Sequence, residues 1–182
     1  MFLQMLGVLM LIFLASCGKY EKPYAAESAG LILETEVQVF ARPLLEQVNE
    51  VGLNEYNRFL TFPGVLFSSP PPKSYQVKIV VVRLGLELPA ETLLEKFEKV
   101  RYRPATVYEL LALARSGHAP PSGSVAALDK IVIKNHGVYY PYLDGYTTET
   151  TEESGNEGLK KLRLKSVYEK FRPSCMFAVV PY

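Results

Sequence analysis

Along this chain the spacing of apolar residues changes several times, and each change marks a candidate element. Between Leu31 and Phe40, LILETEVQVF sets Val37 and Val39 on one face of a strand, and the same residues also suit the start of a helix. From Pro43 to Leu60 the spacing is helical. Leu44, Leu45, Val48, Val51, Tyr56, Phe59 and Leu60 recur on one face, Pro43 suits a first turn, and Gly52 weakens the middle. SSPPPKS, residues 68–74, then interrupts the pattern, because its three consecutive prolines favour polyproline II and forbid a continuing helix or central strand.

After that linker the pattern predicts alternating element types. Tyr75 to Leu84 (YQVKIVVVRL) is rich in β-branched residues and reads as a mostly buried strand. Pro89 opens a helix through Val100, with Leu93, Leu94, Phe97 and Val100 on one face and Glu95 four residues before Lys99. A second helix starts at Thr106. Thr106 and Glu109 form a T-x-x-E capping box, and Gly117 supplies the stop. Leu128–Lys134 and Val138–Leu143 flank Asn135-His136-Gly137 and predict a β-hairpin, with Pro141 placing the second strand at an edge or on a bulge. Residues 144–157 form a solvated loop, Leu159–Val167 is another strand, and Met176–Val180 (MFAVV) is a last, central one.

The predicted fold class is therefore α+β: two helices packed on a small, mainly antiparallel sheet over residues 75–182, preceded by a mainly helical segment at 31–67.

The N-terminus carries a different signal. MFLQMLGVLMLIFLAS, residues 1–16, has no charged group and is shorter than the roughly 20 residues needed to cross a bilayer core, as in a signal peptide. Leu14-Ala15-Ser16-Cys17 resembles the lipobox of bacterial lipoproteins. The resemblance implies cleavage before Cys17, lipid on its thiol, and residues 17–30 as a tether, so the expected partner is a membrane reached through that lipid. An extracytoplasmic location in the cell envelope follows. Lipidation of Cys17 would leave Cys175 without an intramolecular partner, so no disulfide framework is expected.

Composition narrows the partners. The 182 residues are 48% hydrophobic and 21% charged, enough to form a packed core, and 20 basic against 19 acidic residues leave a net charge of +1. Such a balance gives no general attraction to nucleic acid, and none is expected as a partner.

Arg103-Pro104-Ala105-Thr106 followed by Glu109-Leu110 resembles the start of the second helix in the formylglycine-generating-enzyme-like branch of the C-type-lectin-like domains. The resemblance implies a lectin-like arrangement over 75–182. No oxidase activity is carried over, because the paired cysteines that hold copper in that family are absent here.

Candidate chemistry is sparse. His118 and His136 are the two histidines, and no H-x-x-x-H, C-x-x-C, G-x-S-x-G or phosphate-cradling motif occurs, so no catalytic, metal or cofactor residues are assigned. Binding has better candidates. Tyr140, Tyr142 and Tyr146 belong to a tyrosine-rich hairpin able to stack on sugars or pack on a protein, and Lys161, Arg163 and Lys165 make a basic strand face beside an acidic loop. The expected function is a lipid-anchored binding or structural module of the bacterial envelope, with an envelope glycan or protein as the further partner. The alternative is a small envelope enzyme with its site near His136 and the Tyr139–Tyr146 hairpin.

Overall fold

Four successive β-branched residues, Ile79-Val80-Val81-Val82, are all buried in the computed structural model, and this run organises the fold. The model describes residues 30–51, 55–56, 65–66, 69–118, 123–144 and 161–182. A strand buried on one face alternates apolar and polar positions; a strand buried on both faces does not. Ile79 and Val81 belong to one hydrophobic core, Val80 and Val82 to a second on the opposite side of the sheet.

In chain order the elements are β1 (Gly30–Val39), α1 (Leu44–Glu50), β2 (Glu55–Tyr56), β3 (Val65–Leu66), β4 (Tyr75–Arg83), α2 (Ala90–Lys99), β5 (Tyr102–Pro104), α3 (Val107–Arg115), β6 (Val125–Ala126), β7 (Ile131–Ile133), β8 (Gly137–Asp144), β9 (Lys161–Ser166) and β10 (Met176–Pro181). Among the described residues the strands form one mixed sheet in the order β1-β4-β10-β6-β8-β7-β3, with β5 beside β10, β9 beside β8 and β2 beside β9. Pairing is antiparallel except between β10 and β6 and between β2 and β9. The C-terminal strand lies inside the sheet, as MFAVV predicts. The architecture is α+β, with strands predominating over three described helices. Among the described residues, no helix is long and apolar enough to cross a membrane.

The helices lie on both faces of the sheet. Leu44 and Val48 of α1 and the buried face of α3 join Val37, Val39, Ile79, Val81, Ala178 and Val180 in one core. Ala90, Leu93 and Phe97 of α2 join Val80, Val82, Phe177 and Val179 in the other, together with Phe171 and Cys175 from the connection between β9 and β10. Helical periodicity marks which side of a helix is buried, not which face of a sheet receives it; the two helices expected over 75–182 lie on opposite faces, with α1 on the face of α3.

The segment expected to be mainly helical, 31–67, begins with a ten-residue strand, one of the two readings open for residues 31–40. β1 pairs with β4 from Gly30↔Arg83 to Val39↔Tyr75, and Val37 and Val39 enter the same core as α3. Residues 68–74 therefore join parts of one core. The helix expected over 43–60 is described only as Leu44–Glu50, with Val51 at its C-cap and strand pairing at Glu55–Tyr56. Gln47, fully buried, holds the turn before α1 by donating Nε2–H to the Phe40 and Arg42 carbonyls at 3.0 and 2.9 Å.

Pro141 is also not at an edge. β8 has β9 along one side and β7 then β6 along the other. The Pro141 carbonyl accepts the Ala127 N–H at 3.0 Å, so the missing proline N–H faces the same side, where the partner changes from β7 to β6. A central strand tolerates proline there because no ladder donor is required. The hairpin turn itself has Asn135 at φ 68° and Gly137 at φ 115°.

The capping box of α3 is formed in both directions. Thr106 Oγ1 accepts the Glu109 N–H at 3.2 Å and Glu109 Oε2 accepts the Thr106 N–H at 2.7 Å, while Asp129 Oδ2 accepts the Val107 N–H at 2.9 Å. Capping matters here because the helix is buried from Val107 to Ala114, where water cannot reach its free amides. Thr106→Ala is expected to destabilise the domain by about 1 kcal/mol, read as a lower urea midpoint at unchanged m.

Candidate binding site

β8 and β9 present their even and odd residues, respectively, to the α2 side of the sheet. In their antiparallel register Tyr140 faces Lys165, Tyr142 faces Arg163 and Asp144 faces Lys161, so five of the six described side chains in these pairs are the predicted binding residues. Directly opposed residues share a face. The opposite face carries Leu143 and Leu162, both buried in the α3-side core.

The sixth predicted binding residue, Tyr146, and the predicted lipid acceptor Cys17 lie outside the described residues. Tyr140 is a correction. It is only 1% exposed, because the ring of Phe171 packs against it with centroids 6.2 Å apart, and it belongs to the core rather than to a binding surface. Tyr142 and Lys165 are half-buried, and both line a cavity of about 360 Å3. Its other walls are Ser124, Asp144, Glu169, Phe171, Arg172, Ser174 and Cys175.

The connection from β9 to β10 builds that cavity. Val167 N–H bonds to the Val138 carbonyl at 3.1 Å and Glu169 N–H to the Ser166 carbonyl at 3.1 Å, turning the chain back across the sheet. Phe171 N–H then reaches the Leu88 carbonyl at 3.1 Å, making an isolated bridge to the loop before α2. The Phe171 ring meets Phe177 edge-on at 5.2 Å, and Phe177 in turn lies 5.9 Å from Phe97 of α2. Cys175 and Met176 finish the turn through Cys175 N–H to the Arg172 carbonyl and Met176 N–H to the Ser124 carbonyl, each at 2.9 Å.

Charges on the rim are arranged in pairs. Asp144 accepts the Ser124 hydroxyl at 2.9 Å and lies 3.4 Å from Arg163 Nε. Lys165 Nζ reaches Glu169 Oε2 at 3.1 Å and stands 5.6 Å from the centre of the Phe171 ring. Glu169 Oε1 also accepts the Ser166 N–H at 3.3 Å. The Lys165 hydrogen bond, outweighing partial burial, holds the Glu169 carboxyl below its usual range. Burial, reinforced by Asp144, raises the Tyr142 phenol, which stays neutral.

Cys175 is the one thiol among the described residues, and burial pushes it up to about 12. Burial thus keeps the thiol protonated at neutral pH, and it serves in the packing of the α2-side core. His136 is exposed in the β7–β8 turn, at the far end of β8 from Asp144, eight residues or about 26 Å away at strand rise. His118 is exposed beyond the end of α3. The structure thus does not bring either histidine to Asp144 or to the cavity. Among the described residues, no three His, Cys, Asp or Glu side chains converge on a point that could hold a metal ion.

What the domain offers is a polar pocket with a partly apolar floor, of a size at the lower end of small-molecule sites. Compared with models of protein families, with curated proteins and with solved structures, the chain matched none. The sequence signal for this site was partial: Tyr142 and Lys165 stood out and Arg172 ended the same basic run, whereas Phe171 gave none.

Proposed function

We propose that the chain is a binding module held at the outer side of a bacterial membrane by lipid on Cys17, and that the cavity between β8, β9 and the 167–175 connection is its ligand site. The cavity is the observation that carries the reading: a neutral phenol, an aromatic floor and paired charges around it suit reversible polar recognition, and its only thiol is protonated. Tethering is supported by the Leu14-Ala15-Ser16-Cys17 pattern after an uncharged apolar run. Two or more acyl chains hold a domain at a membrane where one holds it only marginally, and they raise its effective concentration toward partners there. The C-type-lectin-like reading of 75–182 belongs to the same proposal and rests on the Arg103–Glu109 motif and the inner C-terminal strand.

The test is to express the full chain and Cys17→Ser in a bacterium, separate membranes and measure intact masses. A mature chain starting at residue 17 with added lipid mass, lost in the variant together with membrane retention, is expected. A chain that keeps residues 1–16 without lipid sinks the anchored reading.

A further inference from the structure

The cavity already contains the geometry of its own ligand. Glu169 places one carboxylate oxygen 3.1 Å from Lys165 Nζ and the other 3.3 Å from the Ser166 N–H. A planar two-oxygen acceptor is thereby held by two donors, one to each oxygen. The occupant is lightly held, since the Glu169 side chain is 59% exposed and the pair is an i, i+4 contact at the surface.

Charge points the same way. Of the charged groups lining the cavity, Asp144 is answered by Arg163 and by the Ser124 hydroxyl. That leaves Lys165 and Arg172 against Glu169 alone, and Arg172 makes no ion pair among the described residues. Among the described residues, one positive charge beside the partly apolar floor of Phe171 and Tyr142 is therefore left over.

Building on the proposed binding role, we infer that the cavity is a carboxylate-binding site: Lys165 and Arg172 of its lining, with the Ser166 amide just outside it, receive a ligand's carboxylate, and Glu169 occupies that position until the ligand displaces it. The ligand has a carboxylate on a body that packs against Phe171 and Tyr142. A free peptide C-terminus and a uronate-type acidic sugar both have this chemistry.

The experiment is an amide chemical-shift titration of the full chain in detergent micelles. The probes are N-acetyl-Ala-Ala and its C-terminal amide, galacturonate and galactose, and inorganic phosphate. Saturable shifts at residues 165, 166 and 172 are expected with one or both carboxylates and not with the neutral isosteres. Response to the peptide alone assigns a peptide terminus; response to the uronate alone assigns an acidic glycan.

Glu169→Gln is expected to tighten binding about two- to fivefold by removing the internal competitor, whereas Lys165→Gln and Arg172→Gln each weaken it by about fivefold, the scale of one exposed charge pair. General loosening of the fold would weaken binding in all three variants, so the opposite sign at Glu169 is diagnostic.

Equal binding of the neutral probes, or of phosphate, overturns the carboxylate assignment while leaving a ligand site in place. Silence from every probe, in Glu169→Gln as well, overturns the carboxylate site; the membrane-anchored reading is judged separately by the fate of Cys17→Ser.

Discussion

Glu109→Ala is expected to destabilise the domain by about 3 kcal/mol, the lower end of the scale for removing one partner of a buried ion pair, because the Arg103 left behind is a third exposed. Glu109 is fully buried at the start of α3, and every acceptor site on its carboxylate is used. Arg103 clasps it with two hydrogen bonds, Nη1 to Oε2 at 2.8 Å and Nη2 to Oε1 at 2.6 Å, while Tyr75 donates its hydroxyl to Oε1 at 2.9 Å and Thr106 its N–H to Oε2. Truncation leaves all of these donors without their acceptor at once, although the Arg103 guanidinium, a third exposed, can still turn to water. Glu109→Gln keeps the shape but supplies only one acceptor oxygen, so it is expected to lose less, about 2 kcal/mol.

The acid dependence follows from the same cluster. Burial alone would raise the Glu109 pKa, but the Arg103 hydrogen bonds, with help from Thr106 and Tyr75, reverse that and hold it below the usual carboxylate range. A group whose pKa is lower folded than unfolded stabilises the fold above its unfolded value of about 4.3 and loses that contribution as pH falls through the folded value. Wild-type stability should therefore drop on acidification below about pH 4, with a shallower drop in Glu109→Gln. Urea midpoints between pH 7 and pH 3 check both statements, and a Glu109→Ala variant within 1 kcal/mol of wild type would show that the clasp contributes little.

That clasp also gives a physical account of the Arg103-Pro104-Ala105-Thr106…Glu109 motif. Its capping half was legible in the sequence because a T-x-x-E box is a local device, formed by residues three apart. The Arg103 and Tyr75 half was not, because Tyr75 comes from β4 and reaches Glu109 only after the sheet and α3 have packed. The same division runs through the fold. The Asn135-His136-Gly137 turn and the MFAVV strand depend on local conformation and composition and were readable, whereas β1, whose LILETEVQV contains three polar residues in succession, becomes a strand by pairing along β4. Strand alternation places Tyr140 and Tyr142 on one face, yet only the position of Phe171 decides that one is core and the other lines a cavity. The cavity was illegible as a unit. Its walls come from positions 124, 142–144 and 165–175, and no spacing rule connects residues that meet through a sheet crossing.

Phe171→Ala is the second large effect expected, about 3–5 kcal/mol, because it empties a fully buried aromatic site at the junction of three elements. Phe171 is the one buried anchor between β9 and Cys175, and its ring touches Tyr140 of β8 and Phe177 of β10 while its amide bonds to Leu88 before α2. Tilted and edge-on aromatic pairs of this kind contribute roughly 0.5–1.5 kcal/mol each beyond simple burial. Phe171→Leu keeps most of the apolar volume and forfeits those ring contacts, so it should fall between wild type and alanine, at about 1–2 kcal/mol. The two variants also separate packing from recognition. Leucine preserves an apolar floor beneath Lys165, whereas alanine frees residues 167–175 from the sheet and takes Glu169, Arg172 and Cys175 out of register with Tyr142. Denaturant unfolding gives the stability order, and hydrogen exchange at the amides of residues 167–176 tells where the loss falls. Faster exchange confined to that connection in Phe171→Ala would place the loss at the floor of the cavity; exchange spread evenly over β4 and β10 would mean instead that Phe171 supports the whole α2-side core, and that the cavity walls are no more fragile than the sheet beneath them.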